Sequence, residues 1–172
     1  LGVEIEENSE LDLFEAFNKH AGDSRIPGVV ADMEKELGAG NKKPEILEKL
    51  AQYELTLLDW VEAHKGYREF VAIAGKCWPA FQTQFGFVPC YVNSRLTKMG
   101  IPVSCEVDIY GALSEFIGTV VSDDAVTLLD INNTVPQDIY DEDIKGKHGK
   151  YTLKDTFMGF HCGNTASSKL SF

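Results

Sequence analysis

Apolar residues recur at helical spacing through the first third of the chain. Between positions 9 and 19 they come three and four residues apart, and Ser9 is suited to cap the helix that this spacing predicts. Similar patterns predict a second helix over 27–37 and a third that begins at Pro44 and runs past Trp60, the latter with one broad apolar stripe. We therefore expect residues 1–68 to form a helical segment that serves mainly as scaffold.

Strand and helix signals alternate in the middle of the chain. Three short apolar runs predict buried strands: 70–74, 102–105 and 126–129. Three other stretches follow helical spacing: 78–85, 91–99 and 108–121. This alternation predicts an α/β fold, a mostly parallel sheet with flanking helices, and we assign residues 69–133 to it.

The pattern loosens towards the end of the chain. Residues 134–152 are polar and charged and predict a long loop, and an apolar run at 157–161 predicts one more strand. We interpret 134–172 as a loop and the start of a further, β-rich C-terminal domain. Because the sequence opens at Leu1 and stops straight after a stretch rich in Gly, Asn and Ser, we expect it to be a piece of a longer protein.

Charge and composition narrow the classes of partner. The 172 residues include 16 basic and 27 acidic side chains, and the resulting net charge of -11 repels nucleic acid and anionic membrane surfaces alike. Apolar runs stay far below the roughly 20 residues of a membrane span, and nothing has the pattern of a signal peptide. The four cysteines lack any C-x-x-C pair, so we expect reduced thiols and a cytoplasmic location.

Two carboxylates stand where predicted strands end. Glu106 follows the run 102–105 and Asp130 closes the run 126–129, with the helix 108–121 between them. Such crossovers are almost always right-handed with parallel strands, which places both residues at the carboxyl edge of the sheet, about 5 Å apart if the strands are neighbours. Carboxylates that close repel each other unless a cation lies between them, so the pair predicts a divalent metal site.

His161, at the end of the last predicted strand, is a candidate third ligand. Two carboxylates and one imidazole suit Mn²⁺ or Mg²⁺. A core histidine that bonds a backbone carbonyl is the alternative, and a zinc site of Cys105, Cys162 and His161 is another that no ligand spacing supports. For the carboxylates, the alternatives are that Glu106 caps the next helix and that Asp130 is an ordinary turn residue.

Several stretches resemble the L-fucose isomerase and L-arabinose isomerase family. They are KCWPAFQ at 76–82, GFVPC at 86–90, SRL at 94–96 and GIPVSCEVD at 100–108. The 24 positions between Glu106 and Asp130 are similar to the spacing of the metal-binding Glu and Asp of L-fucose isomerases, as is the context Leu-Leu-Asp-Ile-Asn. The resemblance covers about residues 70–165, and it rests on the order and spacing of these stretches together.

The resemblance implies a site and an assembly. Glu106 and Asp130 would bind the metal and move the proton, and His161 would be the third ligand, although in longer members that histidine comes much farther along the chain. The metal would be Mn²⁺, with Mg²⁺ or Co²⁺ as alternatives. The family also implies a small sugar substrate and a homo-oligomer with shared active sites.

The implied reaction interconverts an aldose and a ketose through a metal-bound enediolate, which needs a base, an acid and a group that holds the first two oxygens. Trp78 would present a ring to the sugar, unless it serves only for packing, and Gln82 and Asn132 would bind hydroxyls. Two alternative interpretations of the function stay open. The chain would be a non-catalytic sugar-binding or regulatory module on the same scaffold, or an inactive structural fragment of the isomerase.

Overall fold

The computed structural model describes residues 2–160 and 165–169. Its first part contains three helices: α1 (Glu10–Lys19), α2 (Ile26–Leu37) and α3 (Leu47–His64). The Ser9 side chain caps α1 by accepting the backbone N–H of Asp12, as the sequence predicts. Short 3-10 turns, Gly38–Gly40 and Pro44–Ile46, connect α2 to α3.

An aromatic cluster forms the core between α1, α3 and the segment that follows the first strand. Its rings lie 4.2 to 6.5 Å from one another, centroid to centroid, and belong to Phe14, Phe17, Tyr53, Phe81, Phe85 and Phe87. Each fully buried aromatic side chain contributes roughly 1.5 to 3 kcal/mol. Phe81–Phe85 forms a π-helical turn where the sequence predicts an ordinary helix. The buried rings fix the position of this turn.

Two strands and two helices make up the middle of the chain. The strands β1 (Ile73–Ala74) and β2 (Val103–Ser104) pair in parallel, Ile73 with Val103 and Ala74 with Ser104. The helix α4 (Cys90–Lys98) connects them, and α5 (Ile109–Ser122) follows β2 and packs against both strands. Both strands are shorter than the apolar runs that predict them. The larger, mostly parallel sheet stays a prediction.

The apolar run 126–129 forms no strand, which differs from the expectation. Instead, Val126 packs against Gly118 of α5 and Leu128 packs against Gly111, while the backbone N–H of Leu128 donates to the Glu115 carboxylate at 3.2 Å. The apolar side chains of this run pack against α5 and not inside a sheet. A strand begins only at the next residue, as β3 (Asp130–Asn132).

The strand β3 pairs in antiparallel fashion with β4 (Met158–Phe160), and among the described residues these two form a sheet separate from β1 and β2. Between them the predicted loop holds a helical turn, Gln137–Ile139, that continues into a π-helical turn, Tyr140–Ile144. The remaining elements are 3-10 turns at Leu153–Asp155 and Ser167–Lys169. No helix in the described ranges is both long and apolar enough to cross a membrane.

Candidate active site

The backbone departs from regular pairing where β1 and β2 end. The N–H of Gly75 donates to the carbonyl of Ser104 at 2.9 Å, which extends the ladder by one residue. In an uninterrupted parallel ladder the N–H of Glu106 would then donate to the carbonyl of Gly75. The N–H of Val107 does so instead, at 3.2 Å. One extra residue is therefore inserted at this edge, in the manner of a β-bulge.

The inserted residue leaves two side chains in strained backbone. Glu106 and Val107 both have φ of 60°, a left-handed conformation that is rare for residues other than glycine and an outlier for β-branched valine. Each such residue costs roughly 1 to 3 kcal/mol, and strain of this kind clusters at functional sites. The Glu106 side chain is exposed at this point.

Asp108 caps the helix that follows the bulge. Its Oδ1 accepts the backbone N–H of Gly111 at 2.8 Å, and its backbone carbonyl accepts the Ser104 hydroxyl at 2.6 Å. The capping role that the sequence offered as an alternative for Glu106 thus belongs to Asp108. The Glu106 side chain does not cap this helix.

Asp130 approaches the same end of α5 along the packed segment 126–129. Val126 lies against Gly118, in the second half of α5, and Leu128 lies against Gly111, in its first turn. The chain therefore runs back towards the end of α5 that carries Glu106. Asp130 comes two residues after Leu128, at most about 7 Å of extended chain. The sequence predicts both Glu106 and Asp130 at the carboxyl edge of one parallel sheet, and this is wrong for the described residues: β2 and β3 belong to separate sheets, and Asp130 begins its strand. The path of the chain to Asp130 follows instead from packing on α5.

Both carboxylates are exposed and available to bind a ligand. Within residues 2–160 and 165–169, neither the Glu106 nor the Asp130 side chain has a hydrogen bond or an ion pair. Asp130 opens β3, so it is not the turn residue of the alternative interpretation. Carboxylate oxygens are the donors that hard divalent cations such as Mn²⁺ and Mg²⁺ prefer, so this donor set fits such an ion. His161 lies outside the described residues; Phe160, which precedes it, pairs with Asp130.

Two of the three candidate sugar-binding residues lie in the segment that follows β1. Trp78 follows β1 by four residues, is 70% exposed and precedes Pro79 in a cis peptide bond, so its ring is not part of the core. With its amide nitrogen turned to the backbone, Gln82 donates to the carbonyls of Cys77 (3.2 Å) and Pro79 (3.0 Å) and thereby braces this turn. Asn132 lies apart from them, exposed on β3 with Asp130.

The sequence pattern gives no sign of a polar cluster between α1 and α3. His20 lies 2.9 Å from Asp59, and the Arg25 guanidinium donates to both Asp59 and Asp23 at 2.6 Å. In the part of the chain that the structure describes, His20, Asp23 and Asp59 are the one group of three such side chains close enough to share an ion. Arg25 already binds both carboxylates and lowers the pKa of Asp23 to about 2. We interpret this cluster as an ion-pair network that joins α1 to α3.

Arg95, from the stretch SRL, lies in a buried ion-pair network. It is 7% exposed and donates to Glu54, itself 2% exposed, and to Glu36 at 2.7 Å. Glu36 also accepts Lys98 at 2.8 Å and Ser167 at 2.7 Å. Burial raises the pKa of Glu36, but these donors outweigh it and bring the pKa down to about 2. The network joins α2, α3 and α4 to the last described segment.

Comparison with known proteins links the chain to sugar isomerases. Over 122 residues it is 34% identical to proteins named sulfoquinovose isomerase from Priestia aryabhattai and Priestia megaterium, an alignment that covers 68% of this chain and 25% of those proteins. A sulfoquinovose isomerase from a Clostridium species is 35% identical over 88 residues, 44% of this chain and 20% of that protein. The chain thus spans about a quarter of the length of the curated relatives it matches.

No protein-family model and no solved structure matches the chain. The relatives agree with the sequence resemblance at the level of sugar isomerases, and none of those named here is an L-fucose or L-arabinose isomerase.

Proposed function

We propose that this chain is part of a metal-dependent aldose-ketose isomerase whose paired carboxylates are Glu106 and Asp130. The observation that carries the proposal is the bulge after β2, which presents Glu106 in strained backbone at the end of α5 towards which the Asp130 segment runs. The similarity to sulfoquinovose isomerases supports the reaction class. The finer family, L-fucose and L-arabinose isomerases, rests on the sequence resemblance.

The first substrate to test is sulfoquinovose, since that sugar appears in the names of the relatives. L-Fucose and L-arabinose are the second choice. Trp78 would lie against the apolar face of the sugar ring, and Asn132 would bind a hydroxyl. Gln82 would act mainly by holding the turn that presents Trp78, with its carbonyl oxygen left for a hydroxyl.

Glu106, Asp130 and His161 would hold the ion, with Mn²⁺ preferred and Mg²⁺ or Co²⁺ as alternatives. When bound, the ion supplies positive charge that stabilises negative charge on the sugar oxygens. Glu106 takes the proton from C2 of the aldose and returns it to C1. Asp130 moves the hydroxyl proton from the oxygen on C2 to the oxygen on C1. Both transfers together convert the aldose to the ketose with no net gain or loss of atoms.

A homo-oligomer with shared active sites, in the cytoplasm, is part of the proposal. The helix α5 exposes large apolar side chains that favour burial against another surface: Tyr110 is 84% exposed, Ile117 52% and Val121 82%. Light scattering of the full-length protein measures the subunit number.

The test is the kinetics of carboxylate variants in the full-length protein. We expect Glu106→Gln and Asp130→Asn to lower kcat about 100- to 10,000-fold, because each keeps the side-chain shape and removes a proton-transfer group. Glu45→Gln and Asp138→Asn, exposed carboxylates elsewhere in the chain, are the matched controls. Chelation should abolish turnover and Mn²⁺ should restore it. Full activity of either site variant would contradict the proposal.

The same variants distinguish an isomerase from the two alternative functions, a sugar-binding module and an inactive structural fragment. In deuterated water an isomerase incorporates solvent deuterium into the product, and Glu106→Gln should stop this exchange while sugar binding survives. A sugar-binding module would bind sugar without exchange, and chelation would change only its affinity. A structural fragment would show no activity from these residues alone and activity from the longer chain.

A further inference from the structure

We infer that Lys76 binds a tetrahedral oxyanion on the sugar, a sulfonate or a phosphate, and thereby determines substrate specificity. The inference rests on the proposed function, because it places the cation beside the carboxylates of that site. It deepens the proposal by assigning recognition of the charged end of the sugar to one side chain.

Strand register brings Lys76 next to Glu106. Ala74 pairs with Ser104, and the pairing continues through Gly75, whose N–H and carbonyl bond to Ser104 and Val107 respectively. Lys76 therefore leaves β1 beside the bulge of Glu106 and Val107, at the carboxyl edge of the strand pair. Both side chains are exposed there. Between the end of β1 and Trp78, and between the end of β2 and Asp108, Lys76 is the only cationic residue.

Lys76 is available to bind a ligand. In the described ranges it makes no ion pair, whereas Lys65 and Lys98 pair with Glu62 and Glu36. A lysine carries a compact charge on four methylenes, so its ammonium can reach past Glu106 to a group several carbons from the reacting end.

The charge of this chain favours such a cation. With a net charge of -11, and two carboxylates at the site, this chain repels an anionic sugar. A charge-assisted hydrogen bond from an ammonium to an oxyanion offsets that repulsion locally. The ring of Trp78, two residues farther along the chain, is 70% exposed and so can lie against the same sugar.

The experiment compares three sugars on the full-length protein: sulfoquinovose, glucose 6-phosphate and glucose. Calorimetry gives the Kd for each and steady-state kinetics give kcat and KM. The variants are Lys76→Gln, which removes the charge, Lys76→Arg, which keeps it, and Lys42→Gln, an exposed lysine between α2 and α3, as the matched control.

We expect Lys76→Gln to weaken binding of the preferred anionic sugar about 10- to 100-fold and to leave glucose unchanged. Lys76→Arg should retain most of the affinity and Lys42→Gln all of it. The sugar that loses most affinity identifies the oxyanion as sulfonate or phosphate. Equal losses for charged and neutral sugars, or no loss for either anion, would overturn the inference.

The outcome also separates this inference from the proposed function. Binding of an anionic sugar that depends on Lys76, without isomerisation, would support the cation role and contradict the isomerase. Isomerisation that is indifferent to Lys76 would leave the isomerase standing and reject the cation. If the wild-type protein binds neither anionic sugar, the inference fails, and the isomerase proposal is then decided by turnover of L-fucose and L-arabinose.

Discussion

Glu106 and Asp130 reach the site in two different ways. Glu106 is turned out of β2 by an inserted residue and by two successive left-handed conformations. Asp130 arrives on a segment held by side-chain contacts and one bond to Glu115. In the proposed mechanism Glu106 moves the carbon-bound proton and Asp130 moves the hydroxyl proton.

Glu36 joins α2 to α4 through its ion pairs with Arg95 and Lys98. Its folded-state pKa of about 2 lies below the ordinary value of 4.5. A lowered carboxylate pKa stabilises the fold above pH 4.5, and this contribution disappears as the pH falls from 4.5 to about 2. We expect Glu36→Gln to lower the free energy of unfolding at pH 7 by about 2 to 3 kcal/mol and to flatten the loss of stability in acid.

Urea unfolding at several pH values measures this effect. Glu34→Gln is the control, since Glu34 is exposed on the same helix. If the Glu34 and Glu36 variants showed the same stability at pH 7 and the same acid dependence, the buried network would not stabilise the fold as described.

At the scale of elements, α5 organises the candidate site. Its N-terminus follows the Glu106 bulge, and two glycines on one face let the returning segment lie close to the helix axis. A Cβ at Gly111 would come within 2.6 Å of Leu128 Cδ2 and 2.2 Å of Asp108 Oδ2, the second oxygen of the capping carboxylate. A Cβ at Gly118 would come within 2.9 Å of Val126. These glycines set the path that leads to Asp130.

Gly111→Ala tests this arrangement. The added methyl group displaces Leu128 and the Asp108 cap, so we expect a loss of about 1 to 2 kcal/mol in unfolding free energy and a fall in kcat of the full-length enzyme. Gly28→Ala is the matched control, because nothing lies within 4 Å of a Cβ there. It should stabilise α2 by about 0.5 to 1 kcal/mol. A Gly111 variant as stable and active as the Gly28 variant would show that α5 does not set the approach of Asp130.

The helices could be predicted from the sequence more closely than the strands. Apolar spacing and the Ser9 cap define α1 within its own residues, because helical hydrogen bonds are local. The run 126–129 has the composition of a strand, but its partner is a helix face created by Gly111 and Gly118. The same apolar residues suit both environments, the interior of a sheet and the face of a helix.

The candidate site was predictable only as a set of residues, not as a geometry. Glu106 and Asp130 could be chosen by their place after apolar runs, yet the inserted residue at 106–107 depends on pairing with Gly75, which no local pattern encodes. Asp108, by contrast, stands three residues before Gly111 in the order typical of a helix cap. Long-range polar contacts such as Arg95 with Glu36 and Glu54 carried no sequence signal.

At the scale of the whole molecule, this chain accounts for about a quarter of the length of its relatives. In a protein of the relatives' length, further residues would complete the ligands of the exposed carboxylates and cover the apolar surface of α5. We propose that this chain supplies the reacting groups and Lys76. The rest of the full-length protein would supply most of the side chains that surround the sugar and discriminate between sugars.

The most direct test is a crystal structure of the full-length protein grown with Mn²⁺ and examined by anomalous scattering. The account predicts an anomalous peak between Glu106 and Asp130, with an oxygen of each about 2.0 to 2.2 Å from the ion, the range of hard-cation and carboxylate bonds. A peak elsewhere, for instance at His20 and Asp59, or carboxylates too far apart to share one ion, would contradict it.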